Sequence, residues 1–322
     1  VSHLASPFLG SRRLHFSEVL RSEAMENLGP QELLEENVRH QLCGGRVMLR
    51  IRLACDEVAS LTEPPPLFSM VSRLSYLPML FTDVYEHFKA CLPPRMGQPY
   101  EIWFDCNNVA LKWHYPVGVL CDMLAGQELP VPLDLTAHFT GCSASKELLP
   151  FSGLADLQKS IMNAFKEAIL LENGNTSPFQ KLAKQQQMSL WDAISKSNLE
   201  AYGQVHRSEP TLLWASLKKC KSLAVRLHLW GPPHAALLHR VKVLNDDGTP
   251  STVGDFLRAV MPPVLDEDGQ ALAEGVELLT QGLSISLETP LFWLSLHAHY
   301  LDHFLHLVLR LPSRLLPRSG KA

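Results

Sequence analysis

One order of predicted elements occurs twice in this chain of 322 residues. Strand, strand, helix, strand, strand, helix and strand follow one another in residues 46–139, and the same order returns in residues 222–311. The first strand of the first set alternates apolar and polar residues, as a half-buried strand does. Its apolar positions are Val47, Leu49, Ile51 and Leu53. The repetition concerns element order and not residue identity, so it constrains the fold.

This order is that of the β-grasp fold, as in ubiquitin, and Asn107-Asn108 fit the hairpin turn that it needs. Residues 154–206 between the two sets carry no strand pattern. At 100° per residue, residues 154–172 form a helix with one apolar face. That face holds Leu154, Leu157, Ile161, Ala164, Phe165 and Ala168. We therefore predict an α+β protein in which two ubiquitin-like β-grasp domains flank a helix-rich domain, with an N-terminal helical extension.

The domain boundaries are placed where the pattern changes. In order along the chain, we predict an N-terminal extension with short helices (1–41), the first ubiquitin-like domain (42–142), a linker (143–153), the helix-rich domain (154–208), a linker (209–221), the second ubiquitin-like domain (222–312) and a tail (313–322). Because residue 1 is valine, the sequence leaves open whether the natural N-terminus is present, as it does the role of residues 1–37.

Composition narrows the functional class. The net charge of −4 lacks the basic excess of a dedicated nucleic-acid binder, so we expect no nucleic-acid partner. No apolar run reaches the roughly 18 residues of a membrane-spanning helix. The seven cysteines include no C-x-x-C pair, which argues against a disulfide framework or structural zinc and favours reduced cysteines in the cytoplasm.

Two other constellations invite a chemical interpretation. A cysteine nucleophile would draw on Cys91, Cys106 or Cys121 near His87 or His114, but no local signature accompanies them, so small buried cysteines are the default. A metal site would draw on His297, His299, His303 and His306. These histidines lack a companion acid or cysteine at ligand spacing, so we predict no metal and no cofactor.

Several runs resemble the autophagy-related protein 5 family, in the family's order, from about residue 38 to 311. In the first domain they are Arg73-Leu74-Ser75-Tyr76-Leu77, Glu101-Ile102-Trp103-Phe104 and Leu111-Lys112-Trp113-His114-Tyr115-Pro116. In the helical block the run is Phe165-Lys166-Glu167-Ala168, and in the last domain the runs are Leu287-Glu288-Thr289-Pro290-Leu291 and Phe304-Leu305-His306. The family's fold, two ubiquitin-like modules around a helical one, agrees with the pattern prediction.

The resemblance implies a non-enzymatic scaffold of autophagosome formation. In the family, the lysine at the position of Lys166 accepts the C-terminal glycine of the ubiquitin-like autophagy-related protein 12 through an isopeptide bond. The conjugate binds the N-terminal helix of autophagy-related protein 16. It then acts like a ligase with E2-like enzymes, the autophagy-related protein 3 and 10 enzymes, in lipidation of autophagy-related protein 8 on phosphatidylethanolamine. We accordingly expect a cytoplasmic protein that is recruited peripherally to preautophagosomal membranes.

The helical wheel predicts whether the side chain of this lysine faces solvent. Lys166 lies about 150° from the centre of the apolar face, so it should point to solvent. Leu170 lies one turn later on the same polar side and Met162 lies partly there, so both are candidate docking residues, with coverage by another module as the alternative. Arg73, with Lys112 and Arg310, is a candidate contact for an acidic or membrane surface, or else a solvated charge. An unconjugated interaction adaptor and a thiol enzyme acting on ubiquitin-like proteins remain open as other functions.

Overall fold

The computed structural model describes residues 38–60, 62–93, 102–124, 132–140, 148–208, 221–230 and 236–312. Nearly all of the predicted N-terminal extension, most of the predicted linkers and the tail lie outside these residues. Residues 38–43 are helical and lead into the first domain. Within the described ranges, no helix combines the length and the apolar composition needed to cross a membrane.

The first domain is a five-stranded sheet packed against two helices. Its elements are β1 (Arg46–Leu53), β2 (Leu67–Ser72), α1 (Phe81–Phe88), β3 (Trp103–Cys106), β4 (Val109–Ala110), α2 (Val117–Leu124) and β5 (Leu133–His138). The strand order is β2-β1-β5-β3-β4, with β1 and β5 parallel and the other pairs antiparallel. The alternation predicted for β1 is confirmed, because Val47, Leu49, Ile51 and Leu53 are buried and the residues between them are not.

Local chemistry explains the turns of this domain. Asn107 and Asn108 both have positive φ, 52° and 63°, as the tight hairpin between β3 and β4 requires. Strand β4 is short and ends at Ala110. Trp113 and Tyr115 are buried beyond it, because the chain leaves the sheet there to fill the core.

The helix-rich domain follows as α3 (Leu154–Asn173), α4 (Ser177–Gln180), α5 (Lys184–Ser195) and α6 (Leu199–Ser208). The long helix α3 buries most of its predicted apolar face, Leu157, Ile161, Phe165 and Ala168, together with Ile169, whereas Leu154 in its first turn is 50% exposed. It ends at Gly174, whose φ of 75° is the left-handed conformation that closes a helix and that glycine adopts without strain.

The second domain repeats the first. Its elements are β6 (Ser222–Trp230), β7 (Ala236–Lys242), α7 (Val253–Val260), β8 (Glu277–Thr280), β9 (Leu283–Ser284), α8 (Leu291–His297) and β10 (Leu305–Arg310). The strand order β7-β6-β10-β8-β9 has the same topology, with β6 and β10 parallel. Strand β8 begins at Glu277, shortly after the left-handed Gly275 at φ 78°.

The three domains share one apolar core. The largest buried cluster joins β1, α1 and α2 of the first domain to α3 of the helical domain and also includes Leu279, Tyr300, Leu301 and Val308 of the second. A separate cluster fills the second β-grasp unit, between its sheet and helices α7 and α8. The fold class predicted from the sequence is thus confirmed, with the helical domain wedged between two sheets.

Candidate conjugation site

Helix α3 carries Lys166 and is held rigidly on the outer face of the second sheet. The guanidinium of Arg226 on β6 donates to the carboxylate of Glu167 at 3.2 Å and lies 3.6 Å from the carboxylate of Asp302. The same guanidinium stacks over the ring of Phe304, 4.0 Å from its centroid. Since Arg226 is largely buried, these contacts fix the helix at the residue directly after the lysine.

Apolar packing completes this attachment. Ala168 is fully buried against Ala224 of β6 and Phe304, which form a small cluster of their own. One turn later, the ring of His303 hydrogen bonds to the carboxylate of Glu172 at 3.0 Å. Side chains one, two and six residues after Lys166 therefore all contact the second domain, and the backbone that carries the lysine has little freedom.

Lys166 itself is exposed, as the helical wheel predicts. Its Nζ lies 5.2 Å from the centroid of the Phe179 ring on α4. Phe179 is buried and packs against Phe165, with 5.7 Å between ring centroids. A cation over an aromatic face gains about 0.5–1 kcal/mol at an exposed site. The amine is thus loosely oriented on a fixed helix and remains open to an incoming electrophile.

The two predicted neighbours of the lysine differ in exposure. Leu170 is 45% exposed, a large value for a leucine on a helix that is packed on two sides. Met162 is half-buried and packs against the main core. Of the two, Leu170 presents the larger apolar surface beside Lys166.

A cleft of about 420 Å³ opens where the three domains meet. Helix α3 contributes Asn163 and Glu167 to it, one turn before and one residue after Lys166. Tyr76 and Arg226 line it from the two ubiquitin-like domains. The hydroxyl of Tyr76 is buried and has no hydrogen-bond partner among the described residues. Sequence reasoning missed this cleft, because its lining residues are far apart along the chain and carry no motif.

The structure contradicts the expectation that Arg73 is a surface contact. Arg73 is 6% exposed, forms a buried ion pair with Asp122 and donates to the carbonyl oxygen of Gly118 at 2.9 Å. Asp122 also accepts from the backbone N–H of Gly282 in the second domain at 3.1 Å. Arg73 therefore stabilises the junction between the two ubiquitin-like domains.

The other two cations considered with Arg73 also have intramolecular contacts. Arg310 is half-buried, bonded to Glu277 at 2.8 Å and to the carbonyl oxygen of Asp122 at 2.7 Å. The Nζ of Lys112 lies 5.5 Å from the Tyr115 ring centroid.

Two of the three cysteines named as possible nucleophiles lie in surroundings that oppose thiolate formation. Burial raises the pKa of the Cys121 thiol to about 12, and burial also raises the pKa of Cys106. A nucleophilic thiol needs the opposite shift. Cys91 is half-buried, and the nearby His87 ring bonds to the Pro65 carbonyl oxygen at 2.9 Å.

The four C-terminal histidines are buried and have separate partners. His299 bonds to Arg39 at 2.7 Å, His303 to Glu172, and His306 to Asp302 at 2.9 Å. His297 tilts against Trp293, with 4.5 Å between ring centroids. Among the described residues, no group of three or more ligand-bearing side chains is arranged to hold a metal ion.

Two ubiquitin-like domains fused through a helical domain, with the exposed Lys166 on its longest helix, define the class of this protein. Three domain profiles of one family match the chain in this order. "Autophagy protein ATG5, UblA domain" matches residues 42–139, "Autophagy protein ATG5, alpha-helical bundle region" matches 154–208, and "Autophagy protein ATG5, UblB domain" matches 222–309. The chain belongs to the autophagy protein 5 family.

Individual relatives agree with this assignment. Autophagy protein 5 of Drosophila melanogaster is 26% identical over 275 residues, which are 85% of this chain and 96% of that protein. Autophagy protein 5 of Oryza sativa subsp. indica is 35% identical over 159 residues, 49% of this chain, and the match spans only 40% of the rice protein's length. The crystal structure of Kluyveromyces marxianus Atg5 shows the same fold, with a TM-score of 0.71 at 23% identity, and the match covers 85% of this chain and 99% of that one.

Proposed function

We propose that this protein accepts a ubiquitin-like protein on Lys166 and then works as a scaffold in autophagosome formation. The observation that carries the proposal is the position of Lys166, an exposed amine on a helix that is clamped at Glu167 and Ala168. Isopeptide formation needs an amine held at attack distance from a thioester, and a rigid helix lowers the entropic cost of that approach.

The chemistry requires no nucleophile from this chain other than the amine. The neutral Lys166 nitrogen attacks the thioester carbonyl carbon, the carbon–sulfur bond breaks, and the carrier's sulfur leaves as a thiolate. The proton lost from nitrogen goes to a base of the carrier enzyme or to water. The chain itself is therefore proposed to be a conjugation acceptor and not an enzyme, and the raised pKa values of Cys106 and Cys121 support this over a thiol mechanism.

The partners in this proposal are those of the family. Autophagy-related protein 12 would be joined to Lys166 through its C-terminal glycine, and autophagy-related protein 16 would bind the conjugate by its N-terminal helix. The E2-like autophagy-related protein 10 would deliver autophagy-related protein 12 to Lys166. Autophagy-related protein 3 would transfer autophagy-related protein 8 to phosphatidylethanolamine. A cytoplasmic protein recruited peripherally to preautophagosomal membranes fits this role.

Reconstituted conjugation tests the proposal. The purified chain is mixed with autophagy-related protein 12, its activating and carrier enzymes and ATP, and a covalent adduct is sought. Lys159→Arg is the matched control, because Lys159 is exposed on the same helix two turns earlier. We expect an adduct with wild type and Lys159→Arg and none with Lys166→Arg. Adducts with all three would move the acceptor elsewhere, and none with any would favour an unconjugated adaptor.

A further inference from the structure

Within the part of the chain that the structure describes, strand β2 is an open edge of the first sheet, and it carries two large apolar side chains on its outer face. Phe68 is 56% exposed and Met70 is 48% exposed. They alternate with the less exposed Leu67, Ser69 and Val71, as expected for a strand with one face toward the core. Two such side chains on a six-residue edge strand form an apolar patch that the described residues leave exposed.

The backbone of the same two residues faces the open edge. Arg73 N donates to Gly45 O, so Gly45 and Arg73 form a hydrogen-bonded pair of the antiparallel β1–β2 ladder. Hydrogen-bonded and non-bonded pairs alternate along such a ladder. In the observed register, Met48 lies opposite Met70 and Arg50 opposite Phe68, and both are non-bonded pairs. The N–H and C=O groups of Phe68 and Met70 therefore point away from β1.

The equivalent edge of the second domain is built differently. Lys221 and Val243 are hydrogen bonded, so by the same alternation the outward-facing residues of β7 include Arg240 and Lys242. Both are exposed. Charged residues on an edge strand are a common protection against pairing with another chain. The two sheets have the same topology but differ at this edge. Strand β7 has charged residues that face outward, whereas strand β2 has none.

The charged residues next to β2 favour a partner of negative charge. The outer face of β1, next to the patch, carries Arg46, Arg50 and Arg52. Asp134 on β5 pairs with Arg50 and lies 4.0 Å from Arg52. Three arginines and one carboxylate leave a positive face beside Phe68 and Met70. An acidic partner is attracted to this face, and a second copy of the same positive face is not.

We propose that β2 is a docking strand for an extended peptide of another protein, with apolar residues at its centre and acidic residues at its ends. The peptide adds a sixth strand to the first sheet by bonding to the outward N–H and C=O groups of Phe68 and Met70. Its outer-face side chains pack on the Phe68–Met70 patch, and its carboxylates face the β1 arginines. Main-chain bonds supply affinity and side-chain pockets supply specificity in this mode of recognition. The surface is distinct from Lys166.

A defined peptide tests the proposal by fluorescence anisotropy with the full chain. The probe is the labelled peptide Asp-Glu-Ile-Val-Ile-Val-Asp-Glu. Two control peptides replace its acids by lysine or its first valine by proline, which removes a ladder donor. We expect the acidic peptide to bind and both control peptides to bind at least about tenfold more weakly. A tenfold change in affinity corresponds to a small difference in binding free energy, which the loss of a few contacts accounts for.

Protein variants locate the site. Met70→Glu and Phe68→Glu should each weaken binding by about tenfold or more. Met188→Glu is the control, because Met188 is 56% exposed on helix α5 and a surface change there should alter affinity by less than about twofold. Thermal melting by circular dichroism checks that each variant is folded. In hydrogen exchange, the Phe68 and Met70 amides should become protected only in the complex.

Three results would overturn the proposal. One is failure of the acidic peptide to bind, and another is equal binding by Met70→Glu and wild type. The third is a concentration-dependent dimer in sedimentation that Met70→Glu abolishes, which would make a second copy the occupant of the edge.

Discussion

Glu167 on helix α3 accepts a hydrogen bond of 3.2 Å from Arg226 on strand β6, and this contact ties the helix that carries Lys166 to the second ubiquitin-like domain. The two partners are not equivalent. Glu167 is 47% exposed, whereas Arg226 is 11% exposed and also lies 3.6 Å from the buried Asp302. Arg226 thus compensates a buried charge, and Glu167 contributes a surface contact.

Substitutions at Arg226 and Glu167 should lower the free energy of unfolding by different amounts. Arg226→Met removes the guanidinium beside the buried Asp302 carboxylate, which keeps its hydrogen bond to the His306 ring, so we expect the free energy of unfolding to fall by about 1.5–3 kcal/mol. Glu167→Gln removes a partly exposed ion pair and should cost less than about 1 kcal/mol. Urea unfolding monitored by tryptophan fluorescence measures both. Equal losses for the two variants would show that Asp302 does not depend on Arg226.

The buried pair of Arg73 and Asp122 should stabilise the junction of the two β-grasp domains. Arg73→Met removes the cation and leaves Asp122, which is 1% exposed, with an uncompensated charge. We expect a loss of about 3–5 kcal/mol in urea unfolding. Arg52→Met is the control, because Arg52 is 51% exposed and its removal should change stability by no more than about 0.5 kcal/mol. A small effect of Arg73→Met would mean that relaxation or water compensates Asp122.

Acid should destabilise the protein through its buried histidines. Burial, with Lys112 and Arg226 nearby, lowers the pKa of His114 to about 4, and burial also lowers the pKa of His228 and His306. Unfolded histidines titrate near pH 6.5, so below that pH the unfolded chain binds more protons than the folded one. Stability is therefore full above about pH 6.5 and declines as the pH falls toward 4.

His114→Gln tests this dependence. Since glutamine does not titrate, the variant should lose less stability than wild type between pH 7 and pH 5, as measured by urea unfolding at each pH. Asp and Glu residues begin to titrate only below this window, so they contribute little to the difference. Identical pH profiles for the two proteins would assign the acid sensitivity to other groups.

Leu170 should contribute to conjugation without contributing to stability. If the incoming ubiquitin-like protein covers this side chain, Leu170→Ser should slow adduct formation on Lys166 about three- to tenfold, because the 45% of the leucine that is still exposed carries about half the burial energy of a whole leucine. Leu154→Ser is the matched control, since Leu154 is 50% exposed near the start of the same helix. Single-turnover conjugation rates compare the two. An unchanged rate for a folded Leu170→Ser protein would remove Leu170 from the docking surface.

Residues that face the core were readily predicted from the sequence. The alternation in β1, the helix predicted over residues 154–172 and the order of elements in both β-grasp domains all arise within short windows, where periodicity is informative. The exposure of Lys166 follows from the same periodicity. These features need no knowledge of what another part of the chain does.

Arg73 shows where such reasoning stops. Its partner Asp122 is 49 residues away, and that carboxylate in turn bonds to Gly282, a further 160 residues along. Arg39 and His299, 260 residues apart, form a similar contact. The local sequence around an arginine is the same whether its side chain is solvated or pairs with a carboxylate far away in the chain. Burial of charge at a junction between domains is therefore set by tertiary packing that no local window contains.

The core common to all three domains has a thermodynamic consequence. Leu279, Tyr300, Leu301 and Val308 of the last domain belong to the same buried cluster as the first sheet and helix α3. Cutting the chain between domains would leave this interior open to water on every fragment. Heat should therefore melt the protein in one cooperative transition, with equal calorimetric and van't Hoff enthalpies. The cooperative unit that carries Lys166 is then the whole assembly of three domains.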